Sequence, residues 1–261
     1  MAVEIHSTAV VDPKAQLGEN VKIGPFCLVK AATELGDGTV LESHVAIHSY
    51  TSLGAGCIVS PFVSLGGAPQ DLKYAGQITY VKIGAGCQIR EYVTVNRGTP
   101  DGHGVTMVGD KCLLMASSHV AHDCYVGREV ILANEVALAG HVTVGDFVSI
   151  GGLAAVHQFV RIGEYSYIGG MTPVTQDVPP YVIATDRGDT FLHGLNKIGL
   201  QRRGFSDVTL TALKKAYRIF FRFGLTVPEA VERVKAEVEL LPEVLNLIEF
   251  MQTTTKRGVA R

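Results

Sequence analysis

Apolar residues recur every six positions along the first two-thirds of the chain. From Ile5 the sequence divides as IHSTAV VDPKAQ LGENVK IGPFCL VKAATE LGDGTV LESHVA IHSYTS LGAGCI VSPFVS, and Leu65 opens the next unit. The period resumes at Ile83, Ile89 and Val95 and then runs unbroken from Val108 to Val174. These are 26 unit starts, and every one is Ile, Leu or Val. Four positions after the start, each complete unit carries Ala, Val, Thr, Ser or Cys. Six residues match neither the 3.6-residue period of a helix nor the alternation of a long strand. The pattern predicts a short strand, a corner and another short strand. Three sides then close a triangular coil of about 18 residues, with successive coils pairing as parallel strands about 4.8 Å apart. The prism would be roughly 40 Å long on that spacing. Glycine follows the start in 12 of the 26 units, which reads as a corner's need for unusual backbone angles.

Two insertions interrupt the period. The first, GAPQDLKYAGQITY at 67–80, carries Asp71 and Lys73; the second, RGTPDGHG at 97–104, is rich in glycine. Insertions in a regular solenoid lie on its surface, where function is often found, although either could be an idle loop. The period stops at QDVPPYV, where Pro179 and Pro180 are expected to block ladder pairing. Beyond it the pattern turns helical. Ser206 is a cap for a helix through 223 with Gly224 as its stop, TVPE at 226–229 is a capping box, and a third helix follows Pro242. The expected organisation is an all-β parallel β-helix over 1–188 and a smaller α-helical C-terminal domain over 189–261 that covers the open end of the prism.

Composition narrows the partners. The net charge is −2 with 18% charged residues, which points away from nucleic-acid binding and extended disorder. No segment approaches the length of an apolar membrane span, and the N-terminus lacks a basic region followed by an apolar stretch, so a cytoplasmic protein is expected. All five cysteines fall in the small-residue slot, which makes them small buried hydrophobes and not catalysts or metal ligands. One local asymmetry survives: residues 197–222 hold Lys197, Arg202, Arg203, Lys214, Lys215, Arg218 and Arg222 against Asp207 alone. Lys214, Arg218 and Arg222 recur at helical spacing, either as a solvated stripe or as a docking patch for an acidic partner.

Eighteen-residue stacking turns spacing into geometry. His122, Gly140 and Gln158 occupy the same position on successive coils; His141 and His157 adjoin them, and His119 precedes the corner. Four of the nine histidines thus converge on one edge. A neutral imidazole with pKa near 6.5 can take a proton from a hydroxyl, and a glycine N–H beside it can hold a developing oxyanion. That pair suits acyl transfer to an alcohol by direct attack.

The segments HVAHDCYVG, LAGHVTVGDF, GGLAAVHQFVRIG, QDLKYAG, QDVPPYVIA and RRGFS closely resemble the acyl-carrier-protein-dependent UDP-N-acetylglucosamine O-acyltransferases, which begin lipid A synthesis. The resemblance spans essentially the whole chain. It implies a left-handed winding, against the usual preference for right-handed crossovers. It further implies that His122 is the general base toward the glucosamine 3-hydroxyl, that Asp123 orients or polarises it, and that the Gly140 N–H serves the oxyanion. Asp71, Lys73, His119, His141, His157 and Gln158 match sugar and cleft positions. Asn196, Arg202 and Arg203 match residues near the nucleotide and its phosphates, although the segment ATDRGDTFLHGLN departs from the family's versions. Gly170 falls where the acyl-chain ruler sits and leaves room for longer chains. Lys214, Arg218 and Arg222 would meet the acidic carrier protein. The resemblance implies a homotrimer with the cleft between prisms, no metal, and no cofactor beyond the phosphopantetheine of the (R)-3-hydroxyacyl carrier protein.

Two other classes compete. Clustered histidines on this fold also suit a metal site resembling the γ-class carbonic anhydrases, which lack the helical tail. A non-enzymatic ice-binding prism would need a repetitive threonine face, and no such array occurs.

Overall fold

The computed structural model describes residues 2–186, 190–253 and 255–261. Three parallel sheets form the walls of a triangular prism. The first wall begins with Glu4–Ile5, the second with Val10–Val11 and the third with Gln16–Leu17, and the chain visits them in that order on every coil. Partners within a wall are one coil apart in sequence, as in Ile5↔Ile23 and Val120↔Leu138. Each unit start points inward: Leu41, Val59, Ile89, Leu114, Leu132 and Ile150 form a column on the first wall, none more than 1% exposed. Burial of each such side chain contributes about 1.5–3 kcal/mol. The cysteines are all free and buried, and the thiols of Cys57, Cys87 and Cys112 donate to the carbonyls of Gly84, Gly109 and Gly127.

The glycines that follow unit starts serve a different need from the one their spacing suggests. Of the 12, only Gly66 has a positive φ. The left-handed corner residue comes two positions later and is usually not glycine, as at Asn20, Phe26, Asp123, His141 and Phe159. The glycines instead permit close approach between coils. A Cβ on Gly36 would stand 2.5 Å from Ala55 N, and one on Gly54 2.5 Å from Ala85 N.

The prolines do not end the ladder. Val178 still bridges to Ile162, and Val182–Asp186 pairs in parallel with the first wall before Thr190–Leu195 returns antiparallel to it. Pro179 and Pro180 fit because they fall between the bridge and the strand, where no ladder donor is required. The expected 188/189 boundary lies outside the described residues; Thr190–Leu195 is strand, and helix begins with α1 at Lys197–Arg202. Helix α1 was not anticipated. Helices α2 (Asp207–Arg222), α3 (Val227–Glu237) and α4 (Pro242–Gln252) follow the sequence signals, with Ser206 accepting from Thr209 N and Thr226 and Glu229 forming the capping box. Their apolar faces make a second core around Leu213, Ala216 and Val234, while Tyr217 enters the core of the prism.

Candidate active site

His122 follows the second-wall strand His119–Val120 and precedes the third-wall strand Tyr125–Val126, so it stands on the edge between those walls. Asp123 is the left-handed corner residue, with φ 60°, a conformation aspartate tolerates. His122 Nδ1 lies 2.9 Å from Asp123 Oδ2. A carboxylate only accepts, so Nδ1 carries the proton and Nε2 keeps its lone pair. The His122 side chain is 17% exposed and that of Asp123 is fully enclosed.

Gly140 lies one coil further on. A Cβ there would stand 2.6 Å from His122 Cε1 and 2.7 Å from Nε2, so the imidazole lies across the glycine. At the corresponding corner position elsewhere, the N–H groups of Glu19, Ala85 and Arg128 donate to carboxylates one coil away, Asp37 at 2.8 Å, Asp110 at 2.7 Å and Asp146 at 3.0 Å. Gln158 stands one coil beyond Gly140, and among the described residues the Gly140 N–H has no hydrogen bond. A donor that this fold uses to hold carboxylate oxygen is therefore presented beside His122.

His141 completes the cluster, its ring perpendicular to that of His122 at 5.1 Å and stacked on Phe159 at 4.6 Å. Burial pushes His141 below the ordinary histidine range; Asp123 pulls it back in part, while His122 and His103 push it further down. His119 is likewise lowered, by burial and then by His122, and its Nδ1 lies 2.7 Å from Thr94 Oγ1. Lys73 N donates to Asp71 Oδ1 at 3.0 Å in a turn of the first insertion. The Asp71 charge also pulls His141 up slightly, against the effect of burial. His157 and Gln158 are exposed one coil further on, and Arg257 of the C-terminal tail donates to the Gln158 carbonyl at 2.8 Å.

The second insertion closes on Asp123. The Thr99 hydroxyl donates to Oδ2 at 2.6 Å, the His103 and Gly104 N–H groups donate to Oδ1 at 2.9 and 3.1 Å, and the Thr99 N–H is shared between both oxygens. Burial pushes the Asp123 carboxyl up, but the hydrogen bonds from Thr99 and His122 outweigh it and hold the group below the usual carboxylate range. Neither Thr99 nor His103 was anticipated; the only signal was a glycine-rich insertion one coil before His122. Donor atoms of His122, Asp123 and His141 lie within 4.8 Å of one another, the spacing of a metal site. A metal there would have to compete with these hydrogen bonds for the lone pairs of Asp123.

The remaining candidates stand on other edges. Gly170 is on the edge between the first and second walls, where a Cβ would meet Gly152 O at 3.2 Å, and Met171 beside it is 72% exposed. On the edge between the third and first walls, Asn196 caps α1 and donates to Tyr165 O at 3.0 Å. Arg203 pairs there with Glu129 and lies over the Phe147 ring at 4.6 Å, with the exposed Arg202 beside it. Lys214, Arg218 and Arg222 line a cleft of ≈ 680 Å³ with His193, Lys197 and Tyr217. Arg222 is anchored there, donating to Leu192 O at 3.2 Å and Tyr217 Oη at 3.1 Å.

The model of domain 2 of UDP N-acetylglucosamine O-acyltransferase matches residues 177–260. An acyl-[acyl-carrier-protein]--UDP-N-acetylglucosamine O-acyltransferase of Thermodesulfovibrio yellowstonii is 49% identical over 258 residues, 99% of each chain. The chain belongs to this O-acyltransferase family. A second member, from Syntrophobacter fumaroxidans, is 45% identical over 99% of this chain and 100% of its own. The crystal structure of UDP-N-acetylglucosamine O-acyltransferase from Moraxella catarrhalis superposes with a TM-score of 0.94 at 43% identity, covering 98% of this chain and 99% of the other. With these O-acyltransferases the chain shares the left-handed parallel β-helix and its helical C-terminal region.

Proposed function

We propose that the chain transfers an (R)-3-hydroxyacyl group from acyl carrier protein to the 3-hydroxyl of UDP-N-acetylglucosamine, the first step of lipid A biosynthesis. The observation that carries this reading is the His122–Asp123 pair lying across Gly140. His122 Nε2 takes the hydroxyl proton as the oxygen attacks the thioester carbonyl. The Gly140 N–H holds the tetrahedral oxyanion. Collapse breaks the carbon–sulfur bond, and the phosphopantetheine thiolate takes the proton back from His122. Asp123 stabilises the imidazolium between those steps. A thiol nucleophile is not used, since burial pushes the neighbouring Cys124 up to about 12.

Asp71, Lys73, His119, His141, His157 and Gln158 bind the sugar in this proposal. Asn196, Arg202 and Arg203 bind the nucleotide phosphates, which forked arginine donors suit. Gly170 bounds the acyl chain and leaves room for long ones, and Lys214 and Arg218, with Arg222 behind them, receive the carrier protein. These groups occupy three different edges of one prism, which supports a homotrimer in which edges of neighbouring copies face each other. A cytoplasmic location belongs to the same proposal; among the described residues no helix is long and apolar enough to cross a membrane. The γ-class carbonic anhydrase reading is disfavoured, because the carboxylate of the histidine cluster is already filled by hydrogen-bond donors.

The test is to incubate the protein with UDP-N-acetylglucosamine and a series of (R)-3-hydroxyacyl carrier proteins. A 3-O-acyl product is expected, with activity surviving thorough chelation. Absence of product across the series, or activity abolished by chelation and restored by zinc, overturns the proposal.

A further inference from the structure

Only the ends of residues 97–104 join the ladder between coils, the Arg97 and Gly98 N–H groups donating to Gly67 O and Tyr80 O and Gly104 O accepting from the Tyr80 N–H. These residues leave the prism after Thr94–Asn96 and return at Val105–Val108, and between those strands they wrap one carboxylate. The closeness of that wrap explains their glycines. A Cβ on Gly102 would stand 2.5 Å from Asp123 Cγ, and one on Gly98 2.8 Å from Asp123 Oδ1. Of the donors that the insertion supplies to Asp123, three are main-chain N–H groups and the fourth is the Thr99 hydroxyl. Thr99 is 3% exposed, so that hydroxyl is committed to this contact.

The division of labour between the oxygens matters. The His103 and Gly104 N–H groups fill Oδ1, Oδ2 takes the Thr99 hydroxyl at 2.6 Å and His122 Nδ1 at 2.9 Å, and the Thr99 N–H spans both oxygens. Rotation of the carboxylate about its Cβ–Cγ bond would break all of these bonds together. The plane of the carboxylate, and with it the tautomer and tilt of the imidazole, is therefore set from a loop outside the His122–Gly140 pair.

We propose that Thr99 is a positioning residue for the acyl transfer, its hydroxyl and N–H acting with the N–H groups of His103 and Gly104 to lock Asp123 as the ionised partner of His122. This rests on His122 being the base, as proposed above. The titratable groups facing Asp123 are His122 at 2.9 Å and His141 at 3.9 Å. The His103 ring stands 6.4 Å from that of His141. Removing the hydroxyl takes away one donor that opposes the effect of burial, so Asp123 in such a variant protonates at higher pH.

The experiment compares wild type, Thr99→Val, Thr99→Ser and His122→Ala with UDP-N-acetylglucosamine and a (R)-3-hydroxyacyl carrier protein. It measures kcat, both KM values and the pH dependence of kcat. Thr99→Val is expected to lower kcat about 10–100-fold, the order lost when a group that orients a functional side chain is removed. Both KM values should stay near wild type, the acid limb of the kcat profile should move to higher pH, and Thr99→Ser should recover most of the rate. Thr99→Ala replaces the valine variant if that one gives no cooperative melting transition. A wild-type kcat in the variant lacking the hydroxyl, a loss confined to KM, an unmoved pH profile or a serine variant as slow as the valine one overturns the assignment of Thr99. An inactive wild type or a fully active His122→Ala sinks the base assignment instead, so the two failures are distinguishable.

Discussion

His122 and Gly140 are fitted to each other across one coil: the imidazole Cε1 occupies space 2.6 Å from where any side chain at 140 would begin. Gly140→Ala must displace the ring, and with it the pairing to Asp123, although the fold keeps its column of buried starts. The expected outcome is a loss of kcat of about 10²–10⁴-fold, the range for removing a positioned base, with a thermal midpoint near that of wild type. Measured kcat within a few-fold of wild type would mean that the ring has another productive position.

Coil packing sets a second pair of outcomes of opposite sign. Gly54→Ala drives a Cβ to 2.5 Å from Ala85 N and 2.7 Å from Gly84 C, both rigid backbone. It should cost about 3 kcal/mol or more of stability. Glu135, by contrast, is an exposed residue held at φ 61°, and Glu135→Gly should add about 0.5–1 kcal/mol by relieving that strain. Denaturant midpoints of the two variants check both signs.

Acid should weaken the fold before the carboxylates titrate. His48, His119 and His141 are all held below the ordinary value of 6.5, chiefly by burial. As the pH falls through that value, the unfolded chain binds protons at these sites that the folded chain does not. Stability is thus fully present above it and declines below it. The urea midpoint should be lower at about pH 5.5 than at about pH 7.5; an equal or higher midpoint at the acid value contradicts the assignment.

The basic cleft separates docking from structure. Among the described residues Lys214 and Arg218 make no ion pair, whereas Arg222 is bonded to Leu192 O and Tyr217 Oη. Joint replacement of Lys214 and Arg218 by Glu should raise KM for the carrier protein about tenfold or more and remove its salt dependence, leaving KM for the nucleotide sugar unchanged. Arg222→Ala should mainly lower the thermal midpoint. Steady-state kinetics at two ionic strengths, with melting curves, tests the division.

The prism was legible because one constraint repeats: inward Ile, Leu or Val every sixth residue calls for a three-walled coil, although its left-handed winding followed from the resemblance and not from the period, and eighteen-residue stacking then places His122, Gly140 and His141 on one edge. The role of the post-start glycines was misread, since a close approach between coils and a positive φ both favour glycine and spacing alone does not separate them. Pro179 and Pro180 looked like an end to pairing because their missing donors matter only at ladder positions, and which positions those are depends on the corner before them. Helix α1, six residues long, is too short to show a periodic pattern. Thr99 and His103 were invisible because their partner Asp123 is brought to them by a loop closure that carries no repeat. The edges that hold Gly170, Asn196 and Arg203 could be assigned only once the register was known.

The most direct test of the central claim is single-turnover acyl transfer by His122→Ala, with substrate binding measured in parallel. The expected result is transfer slowed by about 10²–10⁴-fold while both substrates bind as they do to wild type. Transfer at the wild-type rate by that variant would contradict the assignment of His122 as the base.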